Sequence, residues 1–183
     1  YVHSPHPPAT TMARPTTAAL LGIILSLYAL HVENVQHARE EAEDMGEELL
    51  GEYRSLCDIE ALGASCSATF ALPEGRMLSY FGLVKEGSPL DVPNALLGVL
   101  FYSYVLFSDN VGAALRPPGG LTLFAASLAM SSSVFLAYKL MVLRKLCLLC
   151  LTTHVINLVL INHYVRSFFR GTTTKKKGGA KTN

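Results

Sequence analysis

Charge is scarce in this chain. Only 16% of its 183 residues are Asp, Glu, Lys or Arg, against about 25% in an ordinary soluble domain. Acids are almost confined to one stretch. Of 14 in all, 13 lie between His31 and Val92, beside Arg39, Arg54, Arg76 and Lys85, and the rest of the chain holds only Asp109. Tryptophan is absent and there are four cysteines, which excludes any loop motif built on tryptophan. The basic residues flank apolar runs and the C-terminal tail rather than forming a patch. That distribution argues against nucleic acid as a partner and for a role in membrane topology.

What remains is apolar. Half of the residues are hydrophobic and the mean hydropathy is +0.33. The apolar residues gather in four runs, the pattern of an all-α membrane protein. The runs are 17–32, 92–107, 121–143 and 146–165. The first is short and resembles a signal-peptide core, but Glu33 and Asn34 follow directly, with no small-residue cleavage site. The second is the shortest for a span. Lys139 sits near the end of the third, placed to snorkel, and the fourth carries His154, Asn157, Asn162 and His163, which are expected to face the bundle interior. Arg116, Pro117, Pro118, Gly119 and Gly120 mark the turn between the second and third runs.

The expected architecture is a four-transmembrane-helix bundle with a lumenal cap or loop between helices 1 and 2. Residues 1–16 are expected to be disordered and 17–168 to form the catalytic domain. The loop spans 33–91, and 169–183 form a basic cytosolic tail. Four spans put both termini on one side. Arg14, Arg116, Arg166, Arg170 and the tail lysines fall there, which the positive-inside rule assigns to the cytosol. Arg144 and Lys145 fall on the opposite side, against the rule. The acidic loop then faces a lumen, that of the endoplasmic reticulum in a eukaryote.

Parity places Cys57, Cys66, Cys147 and Cys150 all at the lumenal side, a compartment that permits disulfides. Cys147 and Cys150 stand three apart at the start of the fourth helix, so both thiols share one face. Unsatisfied amides there favour a thiolate, the nucleophile of thiol–disulfide exchange. Their position at the top of a span gives access to a lipid-soluble quinone. Cys57 and Cys66 enclose eight residues; they serve either as a structural staple or as a shuttle to the membrane pair. Residues 47–56 read as a short amphipathic helix along the interface. A four-cysteine zinc site is an alternative, but its ligands would straddle the membrane surface, so no metal is expected. Alone, His154 reads more readily as an interior hydrogen-bonding histidine than as a catalytic acid; its place four residues after Cys150, on the same face, raises its standing as a site residue. Asn94 caps the next helix or serves the site. Phe70, Leu97 and Phe101 are candidates to wall a substrate pocket, though packing alone accounts for them.

These residues resemble the vitamin K epoxide reductase family. Ser26–Val32 (SLYALHV), Tyr53–Asp58 (YRSLCD), Ser65–Ser67 (SCS), Asn94 with Gly98–Tyr102, and Cys147–Asn157 (CLLCLTTHVIN) look like that family's segments, in its order, from about Ser26 to Val165. The resemblance implies reduction of vitamin K epoxide to the quinone and of the quinone to the hydroquinone. No cofactor is bound: the quinone is substrate, and a dithiol or lumenal thioredoxin-like protein is the reductant. Cys150 would engage the naphthoquinone with Cys147 as its partner. Cys66 would attack the Cys147–Cys150 disulfide, and Cys57, paired with Cys66, would receive the electrons. Asn94 matches the asparagine that hydrogen-bonds a quinone carbonyl, and Phe70 an aromatic residue over the pocket. Inhibitors of the 4-hydroxycoumarin class are expected ligands.

Three departures mark a divergent eukaryotic member. The cysteine loop is one residue longer than in vertebrate members. His154 stands where tyrosine is usual. With no tryptophan in the chain and a poor match over Ala71–Leu90, the family's cap anchor is either supplied by Phe81 or Leu83 or missing. A quinone-coupled oxidase of lumenal thiols uses the same cysteines in reverse. A four-span junction protein like the claudins would share the stapled first loop, but lacks a role for Cys147 and Cys150.

Overall fold

A computed structural model describes residues 13–46, 55–59, 66, 69, 73–112, 115, 117–144 and 146–179. Among these residues the protein is helical, with no strand. Four long helices carry the fold: α1 (Ala13–Asp44), α3 (Asn94–Asn110), α4 (Gly119–Val142) and α5 (Leu148–Gly179). A turn of 3₁₀ helix (Pro73–Gly75) and the one-turn α2 (Met77–Tyr80) lie between α1 and α3. Phe70, Arg116, Lys145 and most of the expected 47–56 helix lie outside the described residues.

Two boundaries differ from expectation. α1 continues twelve residues past Val32, to Asp44. Residues 33–44 are rich in Ala, Glu, Gln and Arg and contain neither Gly nor Pro, so nothing stops the helix. It ends where Gly46 takes φ +77°, the left-handed conformation that glycine adopts cheaply. The first twelve residues of the expected loop are therefore helix. α5 likewise continues past Val165 to Gly179, into the expected tail.

Among the described residues three helices are long and apolar enough to cross a membrane: Pro15–Asp44, Gly119–Val142 and Leu148–Arg170. α3 has 17 residues, about 25 Å at 1.5 Å per residue, short of the roughly 30 Å of a hydrocarbon core. α1 packs on α3 and α5, and α4 on α5. The outward faces are apolar: Leu20, Leu21, Ile24 and Leu27 of α1, Phe124 and Leu128 of α4, and Leu151 and Val155 of α5 are all exposed. Ser26, Ser108, Thr122 and Asn157 are buried, the reverse of a soluble bundle.

The buried stripe of α1 is small: Ala19, Gly22, Ser26 and Ala29. Small residues let helix backbones approach where no hydrophobic force drives them together. An ideal Cβ on Gly22 would lie 2.6 Å from the Tyr102 ring, and one on Gly98 2.6 Å from Ser26 Oγ. Tyr102 fills that space, and its hydroxyl donates to Asn157 Oδ1 at 2.9 Å. Asn157 Nδ2 donates to the Ala129 carbonyl at 3.3 Å. One buried chain of hydrogen bonds thus joins α3, α5 and α4. Tyr102→Phe leaves the Asn157 oxygen unpaired and is expected to lower stability by about 1–3 kcal/mol, measured as a drop in thermal unfolding midpoint in detergent. Of the other polar residues of α5, His163 is half-buried and Asn162 faces outward, contrary to the expected interior position.

Around this chain Ala19, Val105, Ala126, Ile156, Leu160 and Tyr164 form one core drawn from all four long helices. A second core lies at the other end: Ala29, Leu140 and Leu149 with Cys57, Cys66 and Cys147, and with Cys150 packed against it.

Candidate active site

The loop before the site is fastened by short polar contacts. Asp58 accepts the Ser55 amide at 2.9 Å through Oδ2 and the Cys66 amide at 2.6 Å through Oδ1. The Leu56 amide donates to the Tyr28 hydroxyl of α1 at 2.8 Å. One carboxylate therefore holds both ends of the cysteine loop, while a tyrosine ties the loop to the first helix. Tyr28 and Asp58 lie within the segments SLYALHV and YRSLCD, but only contacts across the fold reveal these two roles.

Cys57 and Cys66 are joined as a disulfide, whereas Cys147 and Cys150 are free. Four thiolates for zinc are therefore not present, although Asp58 also lies beside the loop sulfurs. Cys147 is the last residue before α5, and its carbonyl accepts the Leu151 amide at 3.0 Å. Its sulfur accepts the Cys150 amide at 3.3 Å and the Cys150 thiol at 2.6 Å. On the other side Cys66 Sγ lies 3.8 Å away. Cys66 and Cys147 are almost fully buried, and Cys150 is half-buried. The extra loop residue does not prevent the approach. The sulfurs form a row, Cys57–Cys66, Cys147, Cys150, with the exchange contact between Cys66 and Cys147.

Beyond Cys150 opens a cavity of about 30 Å³, lined by Glu33, Thr69, Asn94, Leu136, Lys139 and Cys150 among others. That volume holds a water or two, far less than a bicyclic quinone. Glu74 and Gly75 of the segment 73–91 form part of the cavity wall. Asn94 Oδ1 accepts the Met77 amide at 3.0 Å, and its Nδ2 donates to the Glu74 carbonyl at 2.7 Å. Glu74 pairs with Lys139 of α4 at 3.2 Å. Arg76 donates to the Asp91 carbonyl at 2.8 Å, and its Nε lies 4.0 Å from Glu33. The Ser79 hydroxyl and Gly87 amide hold the Asp91 carboxyl below the usual carboxylate range, helped by Arg76. The Phe81 ring meets Phe135 of α4 in a tilted contact, centroids 5.0 Å apart, while Leu83 is exposed. Of the two residues considered as anchor, Phe81 is the one in contact.

The remaining candidates divide. Asn94 lines the cavity with Cys150, but does not cap its own helix: Pro93 holds the cap position without a side-chain bond. Both ends of the Asn94 amide bind backbone, and one Nδ2 proton remains for a ligand. His154 Nδ1 lies 2.7 Å from Ser133 Oγ, between α5 and α4, and is not among the cavity residues. Leu97 and Phe101 are half-buried and line other ground; Phe101 packs against the central core. Phe70 is outside the described residues. Glu33, Glu74 and Lys139, all at the cavity, went unrecognised. For Glu33 a signal existed: it continues the buried stripe 19, 22, 26, 29 at helical spacing, but only if α1 is read past Val32.

A buried disulfide in sulfur contact with a second cysteine pair at the head of an apolar helix defines a thiol–disulfide oxidoreductase among membrane helices. Residues 15–164 match the Vitamin K epoxide reductase family. The chain is similar to Vitamin K epoxide reductase complex subunit 1 of Mus musculus, 36% identical over 147 residues, covering 78% of this chain and 81% of that protein. The Rattus norvegicus protein of the same name is 36% identical over 143 residues, covering 75% and 78%. The chain belongs to the vitamin K epoxide reductase family.

Proposed function

We propose that this protein reduces vitamin K epoxide to the quinone and the quinone to the hydroquinone, with Cys147 and Cys150 supplying the electrons. The observation that carries the proposal is the sulfur row. Cys150 faces the cavity, and Cys147 faces Cys66 at 3.8 Å. An oxidised loop pair beside a reduced membrane pair is the state reached after the loop has passed its electrons on and before substrate takes them. Cys66 attacks Cys147 of the Cys147–Cys150 disulfide and Cys57 resolves the mixed disulfide. A lumenal thioredoxin-like protein or a small dithiol then reduces Cys57–Cys66.

Substrate enters when the segment 73–91 parts from α3 and α4, and that segment is the lumenal cap. Asn94 offers its remaining amide proton to a carbonyl oxygen, and His154 reaches the site only by leaving Ser133. A 4-hydroxycoumarin competes for the same space. In this reading α3 also crosses the membrane, as the second of four spans, both termini are cytosolic and the membrane is that of the endoplasmic reticulum.

The relay is tested by a trap. Cys57→Ala with Cys150→Ala frees Cys66 and Cys147 of their partners. A Cys66–Cys147 disulfide is expected to form in most molecules, read by mass spectrometry of peptides under non-reducing conditions. Two free thiols under mild oxidation would sink the relay. The reverse direction, oxidation of lumenal thiols by a quinone, uses the same row; consumption of the epoxide with a dithiol distinguishes the two.

A further inference from the structure

We infer that Glu33 is the proton-carrying residue of the Cys150 cavity, taking the thiol proton as sulfur attacks and returning it to the substrate oxygen. The inference rests on the quinone-reductase reading and adds a residue to it. Three observations meet here. Glu33 and Cys150 line the same cavity, which has room for a bridging water and little else. Glu33 is 3% exposed, just past the apolar stretch of α1, where its exposed helix neighbours are His31, Asn34 and His37, and a carboxyl buried so completely is costly unless it is closely paired or works. Its ion-pair contact is weak: Arg76 Nε is 4.0 Å away, and that guanidinium also serves the Asp91 carbonyl and carboxylate, the latter at 3.7 Å.

The other charged groups around it are committed elsewhere. On the segment above, Glu74 is paired at 3.2 Å with Lys139 of α4, and Asp91 binds the Gly87 amide at 3.0 Å. On α1 itself, His37 Nε2 lies 3.3 Å from Arg76 Nη2. A proton carrier must exist in two states. Glu74 is held in a close pair with Lys139, while Glu33 has no cation nearer than Arg76 at 4.0 Å and shares its cavity with the thiol.

The chemistry balances within the site. Cys150 Sγ gives its proton to the Glu33 carboxylate and adds to a ring carbon. An S–C bond forms, and the ring π pair moves to the carbonyl oxygen, which takes the proton from Glu33. The Cys147 thiolate then attacks Cys150 Sγ. The S–S bond forms, the S–C bond breaks, and the released pair stays on the ring. The second thiol proton goes to the second oxygen. Two electrons and two protons leave the dithiol, and the quinone becomes hydroquinone. The reactive form holds one proton shared between Glu33 and Cys150, so its population falls at both pH extremes.

Glu33→Gln preserves the shape and removes the exchangeable proton. With dithiol as reductant, kcat is expected to fall about 10²-fold with KM nearly unchanged. The two-limbed pH profile should become a single rise with thiol ionisation, and Glu33→Asp should keep both limbs. A second measurement needs no quinone. Addition of N-ethylmaleimide to Cys150, in a Cys147→Ala background, also turns a thiolate and an electron-poor alkene into an enolate that needs a proton. Its pH profile should lose one limb in Glu33→Gln but keep both in Arg76→Gln. Identical maleimide rates and profiles with and without Glu33→Gln would overturn the assignment, whatever the quinone assay gives. If the unaltered protein fails to reduce quinone while the maleimide profile depends on Glu33, the substrate reading falls and the proton role stands.

Discussion

Cys150→Ala is expected to abolish reduction of both epoxide and quinone, a loss on the order of 10³-fold or more, even when a small dithiol replaces the protein donor. The reason is position. Of the four cysteines, Cys150 is the one that lines the cavity; Cys147 lies behind it, buried and turned to Cys66. Removing Cys150 therefore leaves no sulfur at the substrate, and a dithiol that bypasses the loop cannot supply one. Cys57→Ala should behave differently. It should lower turnover with a protein donor yet leave much of the dithiol-driven rate, since the membrane pair stays intact. The check is epoxide consumption by purified protein in detergent. Full activity of Cys150→Ala would refute the assignment of the substrate-facing thiol.

Gly22→Ala should be the most damaging small change in the bundle. In an exposed helix the substitution would raise stability by up to about 1 kcal/mol. Here the new Cβ meets Tyr102 Cγ and Cδ1 at 2.6 Å, the inner end of the ring rather than a flexible tip. Tyr102 cannot swing away without losing Asn157, so α1 and α3 must separate. Overpacking of this kind costs about 1–3 kcal/mol, and this case belongs at the upper end. In a chain of this size, about 3 kcal/mol shifts the unfolding midpoint by roughly 10 °C. Gly120→Ala is the control: nothing lies within 4 Å of a Cβ there, so the midpoint should hold or rise. A Gly22→Ala midpoint equal to that of the unaltered protein would remove the close α1–α3 contact.

The apolar runs were legible because a membrane span imposes a length and a composition on the chain, as in 121–143 against the observed Gly119–Val142. Helix ends were less so. Hydropathy ends where charge begins, but a helix ends only where backbone hydrogen bonding fails. α1 therefore ran on through charged residues to Asp44. The same misplaced end hides Glu33, which in the sequence stands as the first residue of a loop and not as the next inward position of a helix. His154 shows another limit. Its spacing from Cys150 is right for one face, yet Ser133 on the neighbouring helix takes its ring nitrogen, and no spacing within one helix announces a partner on another.

By itself the sequence determined that this is a helical membrane protein carrying two cysteine pairs, and it pointed to the family. Hydropathy, residue order and cysteine spacing are properties of the chain, written without reference to any contact. Only the tertiary structure decided which sulfur meets which, that Asn94 clamps the segment above it, and that Glu33 shares a cavity with Cys150. Each of those is a distance between residues far apart in the chain, and such distances exist only once the helices have packed.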